Sequence, residues 1–355
     1  MSAAETAHNS PNPKPSEQDL RRVREVGEQG VLERLMRFCP ADVIGDDAAL
    51  LTISPGRSLV VSEDVLVDGV HFSVGLALPD TKTTSPADVG WRAAAANLSD
   101  LAAMGAVPLG ITVGLSLPPD MPIAWVDELY TGMVECLQQF GASIVGGDVC
   151  RSPTLTVAIA VFGEVIPTQA IRRAGATLGD VVWVSGSHGA SRAGLELLLH
   201  PEQGHELLAE ERAALIQAHQ RPVPRLDVVE VIRLLGLDSA AIAGMDSSDG
   251  LADAVLQLCR ASRVGAVLER SHIPLPNGLA AWRSPQQAME WALYGGEDFE
   301  LVLCLSRDRA EVLQQAIPGS AIVGTIVEGD TVVLHDSTSE SADEVLSLSR
   351  GFQHF

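Results

Sequence analysis

A chain of 355 residues, 46% hydrophobic and 20% charged, has the length for two medium domains, each with a substantial core. Its 46 acidic residues against 24 Lys plus Arg give a formal net charge of −22, which argues against nucleic acid or an anionic membrane as a partner and admits phosphorylated small molecules only with metal ions between. No apolar run reaches transmembrane length, and the cysteines (Cys39, Cys136, Cys150, Cys259 and Cys304) lack CxxC spacing, so they read as reduced core residues of a cytoplasmic protein.

Residues 1–18 are rich in Pro, Ser and Asn with almost nothing to bury, which predicts a disordered tail. Strands and helices then alternate. "SLVVSEDVLVDGVHF" is extended. Ser85 and Pro86 open a helix as N-cap and first helical residue, and Gly105 can end it. "GITVGLSL" is a strand, "AWVDELYTGMVECLQQF" a helix, "ASIVGG" a short strand and "TLTVAIAVFGEVI" a long one. After Pro167 the pattern restarts with the strand "DVVWVSGS" and the helix "ASRAGLELLL", and two more helices fill roughly 206–236. The strand "AAIAGM" runs into a helix within "DSSDGLADAVLQLCRAS", which Ser247 or Ser248 can cap. "FELVLCL" and "SAIVGTIV" are strands with the helix "RDRAEVLQQAI" between them. The expectation is an α/β (α+β) protein of two mixed α/β domains, 19–167 and 168–355.

Acids recur where structure does not ask for them. "IGDDAALLTI" sets Asp46 beside Asp47 among apolar residues, and neither would enter a core without a compensating cation. In the helix "NLSDLAAMGA", Asn97 and Asp100 share the flank of an apolar stripe. Asp148 follows Gly146 and Gly147; Asp246 and Asp249 bracket the strand-to-helix turn "DSSD"; Glu297 and Asp298 follow Gly295 and Gly296; and "SEDVLVDG" holds Glu63, Asp64 and Asp68, with His71 beside them. Singly, each reads as a turn or a solvated helix edge. Together they form an all-oxygen donor set, suited to Mg²⁺ or Mn²⁺ and not to zinc or copper, with Asp47 facing the metal. The ligand alternation of an EF-hand is missing. Phosphoryl transfer is the reaction that uses several such ions, yet there is no GxxxxGK[ST] loop, no HRD…DFG set and no GxGxxG after a strand. A nucleotide would then be held by metal-bridged acids, backbone N–H groups and a rare arginine, Arg172 or Arg173.

In order along the chain, "GDDAAL", "SEDVLVDGVHF", "NLSDLAAMGA", "GGDVCRSP", "RRAGATLGD", "DSSDGL", "GGEDFEL" and the terminal "GFQHF" resemble the thiamine-monophosphate kinase family, of the superfamily that includes aminoimidazole ribonucleotide synthetase. The resemblance runs from about Gly27 to Phe355. It implies transfer of the ATP γ-phosphate to thiamine monophosphate, two α/β domains with the N-terminal one forming a homodimer, and several Mg²⁺ ions. By motif, Asp47, Ser62, Glu63, Asp64, Asp100, Asp148, Asp246 and Asp249 would be metal ligands. Gly147, Asp148, Arg173 and Ser248 would meet ATP, and His71, Glu297 and Phe352 the substrate. Glu63 stands where the family often has Thr, Phe352 where Tyr is common, and Tyr294 where a small residue is common. The alternatives are another ATP-using enzyme of the superfamily, such as a selenophosphate synthetase, and a non-catalytic binder of metal or nucleotide.

Overall fold

The computed structural model describes residues 21–41, 43–338 and 343–351; the expected N-terminal tail and Phe352 lie outside the described residues. The first half runs α1 (Val23–Met36), β1 (Ser58–Val67), α2 (Pro86–Ala103), β2 (Val107–Leu117), α3 (Ile123–Gln138), β3 (Ile144–Arg151) and β4 (Thr156–Val165). Its strands form a sheet in the order β1-β4-β2-β3, antiparallel except between β2 and β3.

Helix α2 begins as its sequence dictates. Ser85 accepts a hydrogen bond from the Asp88 amide at 3.2 Å, Pro86 follows, and Gly105 past the end takes φ 65°. Its interior is rich in Ala, and α3 comes close enough that side chains are excluded at the crossing. A Cβ at Gly90 would fall 1.8 Å from the Leu129 carbonyl oxygen, and one at Gly132 1.8 Å from that of Ala87. α2 covers one face of the sheet, so β1 turns Leu66 inward, with Ser62 and Asp64 on the same side. The opposite face is open: Leu59, Val61 and Val65 are exposed there, Val61 by 54%.

The second half runs β5 (Val181–Val184), α4 (Ala190–Leu199), α5 (Ala209–Gln220), α6 (Leu226–Leu234), β6 (Ala243–Asp246), α7 (Leu251–Ser262), β7 (Gly265–Glu269), α8 (Leu279–Trp282), α9 (Pro285–Tyr294), β8 (Leu301–Leu305), α10 (Arg307–Ala316), β9 (Ala321–Val327), β10 (Val332–His335) and β11 (Glu344–Val345). Its sheet has the order β11-β10-β7-β9-β5-β8-β6. The buried residues of α2 and the first sheet join Trp183, Leu226, Leu301 and Leu303 in one continuous apolar cluster, so the two halves share a core. The segment 219–222 adds polar ties. Trp91 Nε1 donates to the Pro222 carbonyl at 2.8 Å, Gln220 donates to that of Thr83 at 2.7 Å, and Arg221 pairs with Asp88 at 2.5 Å.

Two readings of the sequence need correction. α7 starts after Gly250, and neither Ser247 nor Ser248 caps it; the Ser248 hydroxyl donates to Asp246 instead. All five cysteines are free, yet only Cys136, Cys259 and Cys304 are buried. Cys150 is exposed because β3 is an edge strand, and Cys39 is half-buried just past α1.

Candidate functional site

The structure sorts the expected site residues into two groups and some outliers. The first group lies where α2 and β1 meet β6. Asp246 ends β6, which carries it to the strand terminus where α/β folds place ligands. It is 4% exposed and accepts from Ser99 Oγ at 2.7 Å and Ser248 Oγ at 3.3 Å. Ser62 Oγ donates to Asp100. A cavity of about 240 Å³ is lined by Ser62, Asp100, Arg173 and Asp246. Arg173 is steadied by Gln257, whose Oε1 accepts from its Nη1 at 2.5 Å, and the Arg172 carbonyl accepts from the Gly244 amide at 2.9 Å, which holds this segment beside β6.

The electrostatics of this group are those of crowded acids. Burial pushes the Asp64 carboxyl up to about 6, with the charges of Asp100 and Asp249 adding. Burial and the charge of Asp100 push Asp246 up to about 6, against its serine hydrogen bonds. Asp100 is raised by burial, opposed by the Ser62 hydroxyl and the Arg173 charge. Each shift records a negative charge that lacks compensation.

The second group surrounds a cavity of about 550 Å³ between α1, the 43–53 segment and the open face of the first sheet. Asp46, Asp47, Gly146, Gly147 and Asp148 line it. In the sheet register Asp148 sits in the row Val65, Ala158, Gly114, which is the open face, whereas Asp64 is on the α2 face. The single chain therefore does not bring Asp47 and Asp148 to Asp64, Asp100 and Asp246.

Of the outliers, Glu63 is exposed on the open face, one residue out of phase with Ser62 and Asp64. Asp249 is exposed beside the first group. His71 is half-buried in the turn after β1, its Nδ1 accepting from the Val67 amide at 3.1 Å. Asp68 is a loop anchor: its two oxygens accept from the amides of Val74 at 2.9 Å and Ala77 at 2.7 Å. Glu297 forms an ion pair with Arg92, a residue the sequence reading passed over. Asp298 accepts from the amides of Gly189 at 2.6 Å and Ser191 at 2.9 Å, while burial pushes its carboxyl up to about 7. Ser99, which supports Asp246, was also missed; as the residue before Asp100 in "NLSD", its only signal was that neighbour.

A divalent ion fits the donor chemistry of the first group. Among the described residues no three His, Cys, Asp or Glu side chains converge on one point as a ready-made cage. Mg²⁺ does not ask for one. It keeps several waters and is held by one or two carboxylates together with substrate phosphates. Spaced oxygens with raised affinity for protons, as at Asp64 and Asp246, meet that need.

Comparison with known proteins gives concordant matches. The family model for AIR synthase related protein, N-terminal domain, matches residues 45–165, and that for the C-terminal domain matches 177–337. A thiamine-monophosphate kinase of Synechococcus elongatus is 52% identical over 342 residues, 94% of this chain and 98% of that protein. The crystal structure of thiamine-monophosphate kinase from Stenotrophomonas maltophilia K279a superposes with a TM-score of 0.72 at 32% identity, covering 88% of this chain and 96% of that one. A structure described as AaThiL complexed with AMPPCP and TMP gives 0.68 at 31% identity, covering 92% and 98%.

Proposed function

The chain belongs to the thiamine-monophosphate kinase family, and from that membership and the geometry of the cleft we infer that it transfers the γ-phosphoryl group of ATP to thiamine monophosphate, giving ADP and thiamine diphosphate. The observation that carries the reading is that Asp64, Asp100 and Asp246, from three separate segments, lie near enough along the seam between the halves to raise one another, with Asp100 and Asp246 lining one cavity. Two anions must meet there in a protein of net charge −22.

We assign Mg²⁺ to Ser62, Asp64, Asp100, Asp246 and Asp249 at this seam, and to Asp47 and Asp148 across the sheet. When bound, the metal neutralises phosphate charge in the ground state and the transition state. Glu63 is left out of the set, because its side chain faces away from the seam and lines neither cavity. Arg173 and Ser248 border the cleft and suit the ATP phosphates, with Gly147 and Asp148 on the second cavity. Glu297 and His71 are assigned to thiamine monophosphate, as is Phe352. A phosphate monoester loses its second proton near pH 6, so the acceptor is already a nucleophile at neutral pH. The residues then need only align the two substrates and keep water out, and the absence of an obvious general base is expected.

The exposed Leu59, Val61 and Val65 on the open sheet face support a homodimer in which a second copy covers that face. Among the described residues no helix is long and apolar enough to cross a membrane, and the five free cysteines accord with the cytoplasm. The deciding experiment is turnover. Purified protein with ATP, Mg²⁺ and thiamine monophosphate should yield thiamine diphosphate and ADP, and other phosphate acceptors should not; nucleotide binding with no product would leave a binder in place of a kinase.

A further inference from the structure

We propose that Arg92 is a positioning residue for the carboxylate of Glu297, and that α2 thereby sets the separation between the acidic cleft and the substrate contact. The proposal rests on the reading of Glu297 as a contact to thiamine monophosphate.

Arg92 lies in the alanine-rich part of α2 and is 1% exposed. A guanidinium is permanently charged, and burying one without a counter-charge is strongly destabilising. Here Nη1 donates to the His219 carbonyl and Nη2 pairs with Glu297 Oε1. The Glu297 side chain is 34% exposed, so one side is held by Arg92 while the other remains open to a ligand. His219 lies 3.9 Å from Oε2 but is not a second cation. Burial drives its ring well below the ordinary histidine range, and the charges of Arg92 and Arg192 push the same way. The Ser191 hydroxyl occupies its Nδ1 at 3.1 Å.

The backbone around Glu297 is over-determined. Gly296, Glu297 and Phe299 have φ of 67°, 61° and 53°, and left-handed non-glycine residues of this kind persist only where the surroundings hold them. Gly296 must be glycine, since a Cβ there would fall 2.8 Å from the Ser248 carbonyl oxygen. That same oxygen accepts from the Glu297 amide at 2.7 Å. The contacts close into a ring. Arg92 holds Glu297, Glu297 holds the Ser248 carbonyl, Ser248 Oγ donates to Asp246, and Asp246 accepts from Ser99. Arg92 and Ser99 both belong to α2, two turns apart, or about 10 Å along the axis. One rigid helix thus touches the substrate contact at one point and the acidic cleft at another, and its fixed rise spaces them.

The test is steady-state kinetics on the full chain with Mg²⁺, for Arg92→Met, Arg92→Lys, Glu297→Gln and the double variant Arg92→Met/Glu297→Gln. Loss of a charge-assisted contact predicts that Arg92→Met raises KM for thiamine monophosphate about tenfold or more while KM for ATP stays within about twofold. Arg92→Lys, which keeps the charge but not the fork, should give an intermediate rise of about threefold. If the pair acts as one unit, the double variant should be no worse than the poorer single one. A lowered melting temperature with unchanged KM, or effects that multiply in the double variant, overturns the proposal. Should Arg92→Met fail to fold, a raised KM in Arg92→Lys supports it and a wild-type KM overturns it. If Glu297→Gln leaves KM for thiamine monophosphate unchanged, the reading of Glu297 fails and the proposal with it. If Glu297→Gln raises that KM but neither Arg92 variant does, the Arg92 proposal alone fails.

Discussion

Asp100 shows at the scale of a single side chain how this protein sets function against stability. It is partly buried, flanked by the charges of Asp64 and Asp246, and helped only by Ser62 and Arg173. Asp100→Asn keeps the shape and removes a repulsion, so the folded chain without metal should melt at the same temperature or higher. Activity should fall about 10²–10³-fold, the usual loss for one electrostatic contact in a transition state. Thermal melts and thiamine diphosphate formation measure the two halves of this expectation, and wild-type turnover at saturating Mg²⁺ would refute the ligand assignment. His188 acts in another direction. It is fully buried, and burial pushes its ring down to about 4. The unfolded chain then binds a proton between pH 6.5 and 4 that the folded chain refuses, so stability is lost as pH falls through that window. His188→Leu removes the effect. Between pH 7 and 4.5 its urea unfolding free energy should drop less than the wild type's, by roughly 2–3 kcal/mol.

At the scale of elements, the crossing of α2 and α3 leaves no room for a single added methyl at Gly90 or Gly132. Alanine is the better helix former by about 1 kcal/mol, but a methyl at Gly132 would meet the Ala87 backbone, which cannot yield as a side chain would. Gly132→Ala should therefore lower the denaturation midpoint, at a net cost of about 1–3 kcal/mol, and an unchanged midpoint would show that the helices can part freely. Much at this scale was legible beforehand. Ser85 and Pro86 announced α2, and the short apolar runs in "DVVWVSGS" and "FELVLCL" announced β5 and β8, each buried along its whole length. Other elements were not. α1 carries Gly27 at φ 73° inside it and Gly30 besides, so its apolar periodicity is broken. β10 and β11 are too short to declare themselves and form through pairing with β7 and each other. The site divides in the same way. The acids of "NLSD" and "DSSD" could be singled out, because a carboxylate on an apolar helix or at a strand end is conspicuous. Glu63 could have been placed by the period-two alternation of β1 alone. Arg92 could not, since its partner lies far along the chain and only the fold joins them.

For the whole molecule, the open face of the first sheet is where assembly should be decided. Val61→Glu plants a charge on that face, halfway along the edge strand β1, without touching the shared core, and sedimentation should show the variant as a folded monomer beside a dimeric wild type; a monomeric wild type would end the homodimer proposal. The core that runs from α2 through Trp183 to Leu303 has its own consequence. A polypeptide severed near Pro167 would leave each piece with a raw oily flank where the other had been, so neither should survive as an independent module. Heating the intact chain should give a single calorimetric peak, and limited proteolysis should fail to release a durable fragment from either end.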